Sequence, residues 1–251
     1  MSILSLSHFR SVSFAAGLVV ASASALAGDP NVSPTAEFFG FRAGPSTAVS
    51  GAALEAREAF LGHMVGTSSY GFEQNLPNPV GGFLMNDPDG TTNVVSIGGT
   101  AAMGDANSLA AGRFNTTVGG SRWLDIVSNS VSFTFRDPFA AIGVFLTDIG
   151  DFETELKISL RNSETNDTVE FDMTSRLTST NTQNLAFWGY LDRSGATYNR
   201  MTISSRFSQV DRFGIDDITL GDPIVSNPVP LPGTLALAAA ALGLMALRRR
   251  T

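Results

Sequence analysis

Glu155-Leu156-Lys157-Ile158-Ser159-Leu160-Arg161-Asn162 alternates without a fault. Leu156, Ile158 and Leu160 take one side, while Lys157, Ser159 and Arg161 take the other. A period of two sets successive side chains on opposite faces of a strand, so the segment reads as half-buried β-structure. Its surroundings repeat the pattern. Val131, Phe133 and Phe135 share a face; Val169, Phe171 and Met173 alternate with Glu170 and Asp172; Met201 and Ile203 do the same. Residues 140–146 (AAIGVFL) and 185–191 (LAFWGYL) are apolar on both faces, as central strands are. Turn signals intervene at Arg136-Asp137-Pro138, Asp148-Ile149-Gly150-Asp151, Arg161 to Asp167 and Arg193-Ser194-Gly195. Short strands at this spacing predict an all-β chain folded as a single jelly-roll-like β-sandwich. Only residues 51–63 (GAALEAREAFLGH) carry a helical period, and no helix separates successive strands, which argues against a doubly wound α/β fold.

Composition agrees. The chain has 251 residues, 43% of them hydrophobic and 16% charged, enough for one packed domain. Cysteine is absent, which excludes thiol catalysis, thiolate metal sites and disulfide staples. Beyond His8 the only histidine is His63, so a zinc centre built from several histidines is excluded too. His63 reads as a helix-end residue rather than the base of a catalytic triad, and no G-x-S-x-G elbow accompanies it. Gly98-Gly99 with Gly104 has neither dinucleotide nor P-loop spacing.

Both ends differ from the body. Residues 1–27 combine Arg10, a small and apolar run and the small-x-small site Ala25-Leu26-Ala27, which predicts a signal peptide cleaved before Gly28. Residues 28–49 read as an irregular lead-in and residues 50–226 as the sandwich, with Asn86 to Asn115 a long ornamented loop. Residues 227–251 close the chain. Leu235 to Leu247 carries no polar side chain, and counting back to Val229 approaches the ~20 residues that span a bilayer as a helix. Arg248, Arg249 and Arg250 then mark the cytoplasmic side. Without its two ends the body holds twelve basic residues against twenty-three acids, a formal charge of -11. Such a body is a poor partner for nucleic acid and a plausible one for Ca²⁺.

The tail, a short proline motif followed by an apolar helix and an arginine cluster, resembles the PEP-CTERM sorting signal of Gram-negative bacteria. Val229-Pro230-Leu231-Pro232-Gly233 stands where that family usually has Val-Pro-Glu-Pro, and Leu231 in place of the glutamate resembles the variant class of such tails that carries Val-Pro-Leu-Pro. The resemblance implies export, transient insertion in the inner membrane, and handling by the export machinery and an exosortase-type enzyme. The destination would be the cell surface or an extracellular, polysaccharide-rich matrix.

Within the body, Asp216-Asp217 interrupts an otherwise apolar strand, RFGIDDITLG. Alternation sends one of the two acids into the buried face unless the strand bulges or a cation compensates. The segment resembles the closing strand of jelly-roll domains such as MAM and related carbohydrate-binding-like sandwiches. Tyr70-Gly71-Phe72-Glu73 matches their early Phe-Glu strand, and Thr147 to Phe152 their mid-domain motif. The resemblance implies a structural Ca²⁺ shared by Glu73 and Asp217, with Asp216 as the alternate. Trp188 and Tyr190, on one face of their strand, are candidates for stacking a sugar, although a strand apolar on both faces favours a place in the core. The expected function is therefore a non-catalytic surface or matrix protein with a glycan-binding option. The alternative is a secreted glycoside-active hydrolase using two of the Asp and Glu residues, among which Asp87-Pro88-Asp89-Gly90 and the Asp148 to Glu153 cluster are the other candidates besides a turn role.

Overall fold

The computed structural model describes residues 33–44, 46–105, 112–149, 155–177, 183–206 and 212–224. Proximity of Cα atoms divides the chain into Asn31–Val225 and a second unit formed by Met1–Pro30 with Ser226–Thr251. The stretches expected to be a signal peptide and a sorting tail lie outside the described residues, as do Asp151 and Glu153. Among the described residues no helix is long and apolar enough to cross a membrane.

The body is a sandwich of two antiparallel sheets. The first contains β1 (Thr35–Arg42), β11 (Leu185–Asp192), β8 (Ala141–Thr147), β13 (Phe213–Pro223), β6 (Arg122–Ile126) and β5 (Ala101–Asp105) in that order, with β2 (Met64–Tyr70) also paired to β13. The second runs β10 (Thr168–Asp172), β9 (Glu155–Arg161), β12 (Tyr198–Arg206), β7 (Ser130–Phe139), β4 (Thr92–Gly98) and β3 (Gly82–Asn86). Strand β9 buries Leu156, Ile158 and Leu160 and turns Glu155, Lys157 and Arg161 outward, as its alternation requires. The two all-apolar segments, β8 and β11, lie side by side inside the first sheet and are buried along their whole length.

Their double burial has a specific cause. One face meets the inter-sheet core, and the other meets helix α1 (Gly51–Leu61) through Phe60, Phe145, Phe187 and Leu191. Gly143 and Gly189 are paired in register beneath Phe60. A Cβ on either would sit about 3 Å from its ring, at 3.1 and 2.9 Å, so the glycine pair is the seat for that phenylalanine. Burying one such side chain stabilises the fold by about 1.5–3 kcal/mol.

Three expectations need correction. The lead-in is not irregular, because β1 lies within it and pairs along its full length with β11. Its Phe38-Phe39 doublet hides the alternation, since both faces of that edge are covered in part. The Asn86–Asn115 stretch is not one long loop, because it holds β4 and β5; Asn93, Val95 and Ile97 supply the alternation, and the small polar residues around them obscure it. Arg136-Asp137-Pro138 forms no turn either. Strand β7 runs through it, and the irregularity is absorbed by a register shift against Tyr198 and Arg200.

Candidate functional site

Strand β13 changes partner midway. Phe213 to Ile215 pair with β6, whereas Ile218 to Pro223 pair with β2. Against β8 the register slips between Asp216 and Thr219, and Asp217 adopts a positive φ of 48°. The acid pair therefore sits in a bulge, the first of the two ways out that the sequence left open. Both side chains are nevertheless buried, Asp216 at 0% and Asp217 at 8% exposure.

Their charge is met by the segment leading into β6. The Oδ2 of Asp216 accepts from the backbone N–H groups of Thr116 (2.7 Å) and Thr117 (3.2 Å) and from the Asn115 amide (3.1 Å). Its Oδ1 accepts from the N–H of Asp217 at 2.9 Å. The Thr116 hydroxyl lies 3.1 Å from a carboxylate oxygen of each acid, and the Thr117 hydroxyl donates to Asp217 at 2.9 Å. Glu73 joins from the other side. Its carboxylate accepts the N–H of Ser121 (3.0 Å), the N–H of Arg122 (3.2 Å) and the Asn115 amide (2.7 Å). A tight turn makes this approach feasible: Gly119 has φ +74°, and a Cβ on Gly120 would fall 2.2 Å from the Glu73 carboxylate.

These donors offset only part of the cost of burial. Desolvation, then the charge of Asp217, push the Asp216 carboxyl up to about 8, against the opposing pull of the Thr116 and Asp217 N–H groups. Among the described residues, the ion pairs formed by Arg113, Arg136, Arg176 and Arg212 involve none of these three acids.

The structure thus brings Glu73, Asp216 and Asp217 into one network, but not as a calcium shell. Ca²⁺ takes six to eight oxygen ligands. Here the lone pairs of Glu73 and Asp216 are directed at N–H groups, which cannot ligate a cation, and only Asp217 is bonded through hydroxyls alone. Among the described residues no group of three acidic or imidazole side chains is placed to hold a metal. Glu73 also departs from expectation by lying beyond β2 in an exposed loop, because Phe72 leaves the strand at φ +56° to bury its own ring. The residues missed by sequence reasoning are Asn115, Thr116 and Thr117; the signal was a polar Asn-Thr-Thr followed closely by Gly119-Gly120.

Trp188 and Tyr190 take the core role that their apolar strand favours, not the sugar-stacking one. They are 0% and 4% exposed, so neither presents a ring to a sugar. The Trp188 indole donates to Glu37 at 3.1 Å, and Glu37 is also paired with Arg176 at 2.8 Å, which ties β11 to β1. Phe171 covers both rings at 5.1 Å. Asp148 is buried against Arg113 (3.2 Å), which also pairs with Asp125. Asp87 and Asp89 lie in the β3–β4 hairpin, and with Asp222 and Phe139 they line a cleft of about 250 Å³. The Asn93 amide and the Thr91 N–H occupy their carboxylates at 2.8 and 2.9 Å, so both serve the turn.

No protein-family model and no curated protein sequence matches the chain. Solved structures similar to it include a family 29 carbohydrate-binding module in complex with mannohexaose, at 14% identity and a TM-score of 0.32, covering 62% of this chain and 92% of that one. A DUF4465 family protein from Bacteroides ovatus gives 11% identity and a TM-score of 0.33, covering 75% and 99%. A family 61 carbohydrate-binding module in complex with β-1,4-galactotriose gives 16% identity and a TM-score of 0.27, covering 51% and 88%. Likeness at this level carries nothing about the ligand of this chain.

Proposed function

We propose that the protein is an exported, non-catalytic component of the cell surface or extracellular matrix, sorted through its PEP-CTERM-like tail by an exosortase-type enzyme. The observation that carries this reading is that Asn31–Val225 forms a compact unit of its own. Its last strand ends at Pro223, directly ahead of the proline motif and apolar run. Export and sorting would then act on sequence outside that unit. The test compares full-length protein with a variant truncated after Val225. Equal melting temperatures and a changed cellular destination are expected; a large loss of stability would make the tail part of the fold instead.

Association with extracellular polysaccharide is the finer part of the proposal. With Trp123, Trp188, Tyr70, Tyr190 and Tyr198 all buried, ring stacking by tryptophan or tyrosine is not its basis. A groove of about 410 Å³ lined by Asn129, Glu155, Lys157, Ser204 and Ser205 offers hydrogen-bonding groups to a polar polymer. Co-sedimentation with the producing cell's own exopolysaccharide, weakened in Asn129→Ala and Lys157→Ala, would support it. The hydrolase alternative draws on the cleft beside Asp87, Asp89 and Asp222, and it predicts release of reducing ends that Asp87→Asn abolishes.

A further inference from the structure

We infer that the side-chain amide of Asn115 takes the place of a cation in this sandwich, so that the closing strand is held by a clasp internal to the chain. The inference is independent of the export reading, since it concerns only how the body is closed. Three oxygens from three separate parts of the chain converge on the Asn115 Nδ2. They are the Oε1 of Glu73 at 2.7 Å, the backbone carbonyl of Arg122 at 2.6 Å and the Oδ2 of Asp216 at 3.1 Å. An amide has only two hydrogens to share among them. Three oxygens around one centre, two of them from carboxylates, make a strongly electronegative hollow, and the positive end of the amide dipole fills it.

A metal cannot share that hollow. Ca²⁺ binds oxygen at 2.3–2.6 Å, and Nδ2 already stands about that far from two of the same three oxygens. The rest of the two carboxylates is saturated by backbone N–H groups of Thr116, Thr117, Ser121, Arg122 and Asp217. Admitting a cation would therefore require Asn115 to swing out and the 116–122 backbone to withdraw. The inverted amide, with Oδ1 in the hollow, would set a fourth oxygen against the other three and would need a cation to exist. The two arrangements make opposite predictions, so calcium decides between them.

The experiment uses full-length protein in detergent, stripped with EGTA and melted in chelator and then in millimolar Ca²⁺. Wild type should melt at the same temperature in both and release no heat of binding on calorimetric titration with Ca²⁺. Asn115→Asp puts a carboxylate among the three oxygens; its melting temperature should fall in chelator and recover with Ca²⁺, which then has ligands to hold it. Asn115→Ala should fall in both conditions. A calcium-dependent rise in the wild-type melting temperature that Glu73→Gln removes would overturn the inference. So would an Asn115→Asp variant as stable in chelator as wild type. If Asn115→Asp does not fold, the wild-type titration alone still decides.

Discussion

Replacing Thr116 by valine removes one hydroxyl and little else. The side chain keeps its shape, residue 116 keeps its β-branch, and its backbone N–H still reaches Asp216 at 2.7 Å. What disappears is the hydroxyl lying 3.1 Å from both Asp216 and Asp217, in a site where Thr116 is 5% exposed. A hydrogen bond to a charged group contributes about 1.5–3 kcal/mol, and the Asp217 oxygen left behind belongs to a residue only 8% exposed. At about 2–4 °C per kcal/mol for a domain of this size, the melting temperature should fall by roughly 3–12 °C. Calorimetry of Thr116→Val and Asp217→Asn, singly and together, reads the effect, and the double variant should lose less than the sum because the two share one bond. A loss below about 0.5 kcal/mol, the scale of an ordinary surface change, would refute the claim that this hydroxyl bridges the pair.

Three further outcomes follow from the same geometry. Gly120→Ala should destabilise the body by more than the usual cost of such a change, and Glu73→Ala in the same chain should relieve part of it, because the added Cβ meets the Glu73 carboxylate at 2.2 Å. Stability should depend on pH through Asp216. Its carboxyl is held at about 8 in the fold against the ordinary 3.8, so the folded state binds the extra proton. The benefit is full below about pH 4 and is lost as pH rises through about 8. Melting temperature should therefore decline between pH 5 and 9, with a flatter slope in Asp216→Asn. Tryptophan fluorescence should resist aqueous quenchers and stay unchanged when polysaccharide is added, since Trp123 and Trp188 are both 0% exposed; a polymer-induced shift would restore a stacking role for Trp188.

What was legible in the sequence was whatever a single strand dictates by itself. Leu156, Ile158 and Leu160 announce a half-buried strand because period two leaves no other way to bury them together. The fully apolar β8 and β11 announce a strand covered on both sides, although not that α1 supplies one of the covers. Glu73 was found by resemblance and Asp216-Asp217 by a local conflict, an acid pair where alternation demanded apolar residues. Asn115 was not legible. Its importance comes from three oxygens at residues 73, 122 and 216, and no pattern confined to neighbouring residues reports such a convergence. Strand β1 was missed because its partner β11 lies far downstream, Thr35 pairing with Asp192 and Arg42 with Leu185, and edge strands that are half-covered show weak alternation.

Why a core strand should carry two aspartates is answered by the partner change at the bulge. Between the β6 and β2 pairings, residues 216 and 217 have no strand partner on that side. The segment that fills the opening brings the N–H groups of buried Thr116 and half-buried Thr117 to a place where the sheet offers them no ladder carbonyl. The Asp216 carboxylate is the acceptor that satisfies both, at 2.7 and 3.2 Å. Removing the charge and removing the acceptor should then differ sharply. Asp216→Asn keeps one acceptor oxygen and is uncharged, as is most of a carboxyl held at about 8 near neutral pH, so its effect there should be small and of either sign. Asp216→Leu is uncharged as well but removes the acceptor, orphaning the buried Thr116 N–H at about 1–3 kcal/mol and the half-buried Thr117 N–H besides, so a loss of at least about 1–3 kcal/mol is expected despite the more apolar side chain. Urea titration of the two variants separates the cases. If leucine proved as stable as asparagine, the aspartate would not be there to receive those two N–H groups.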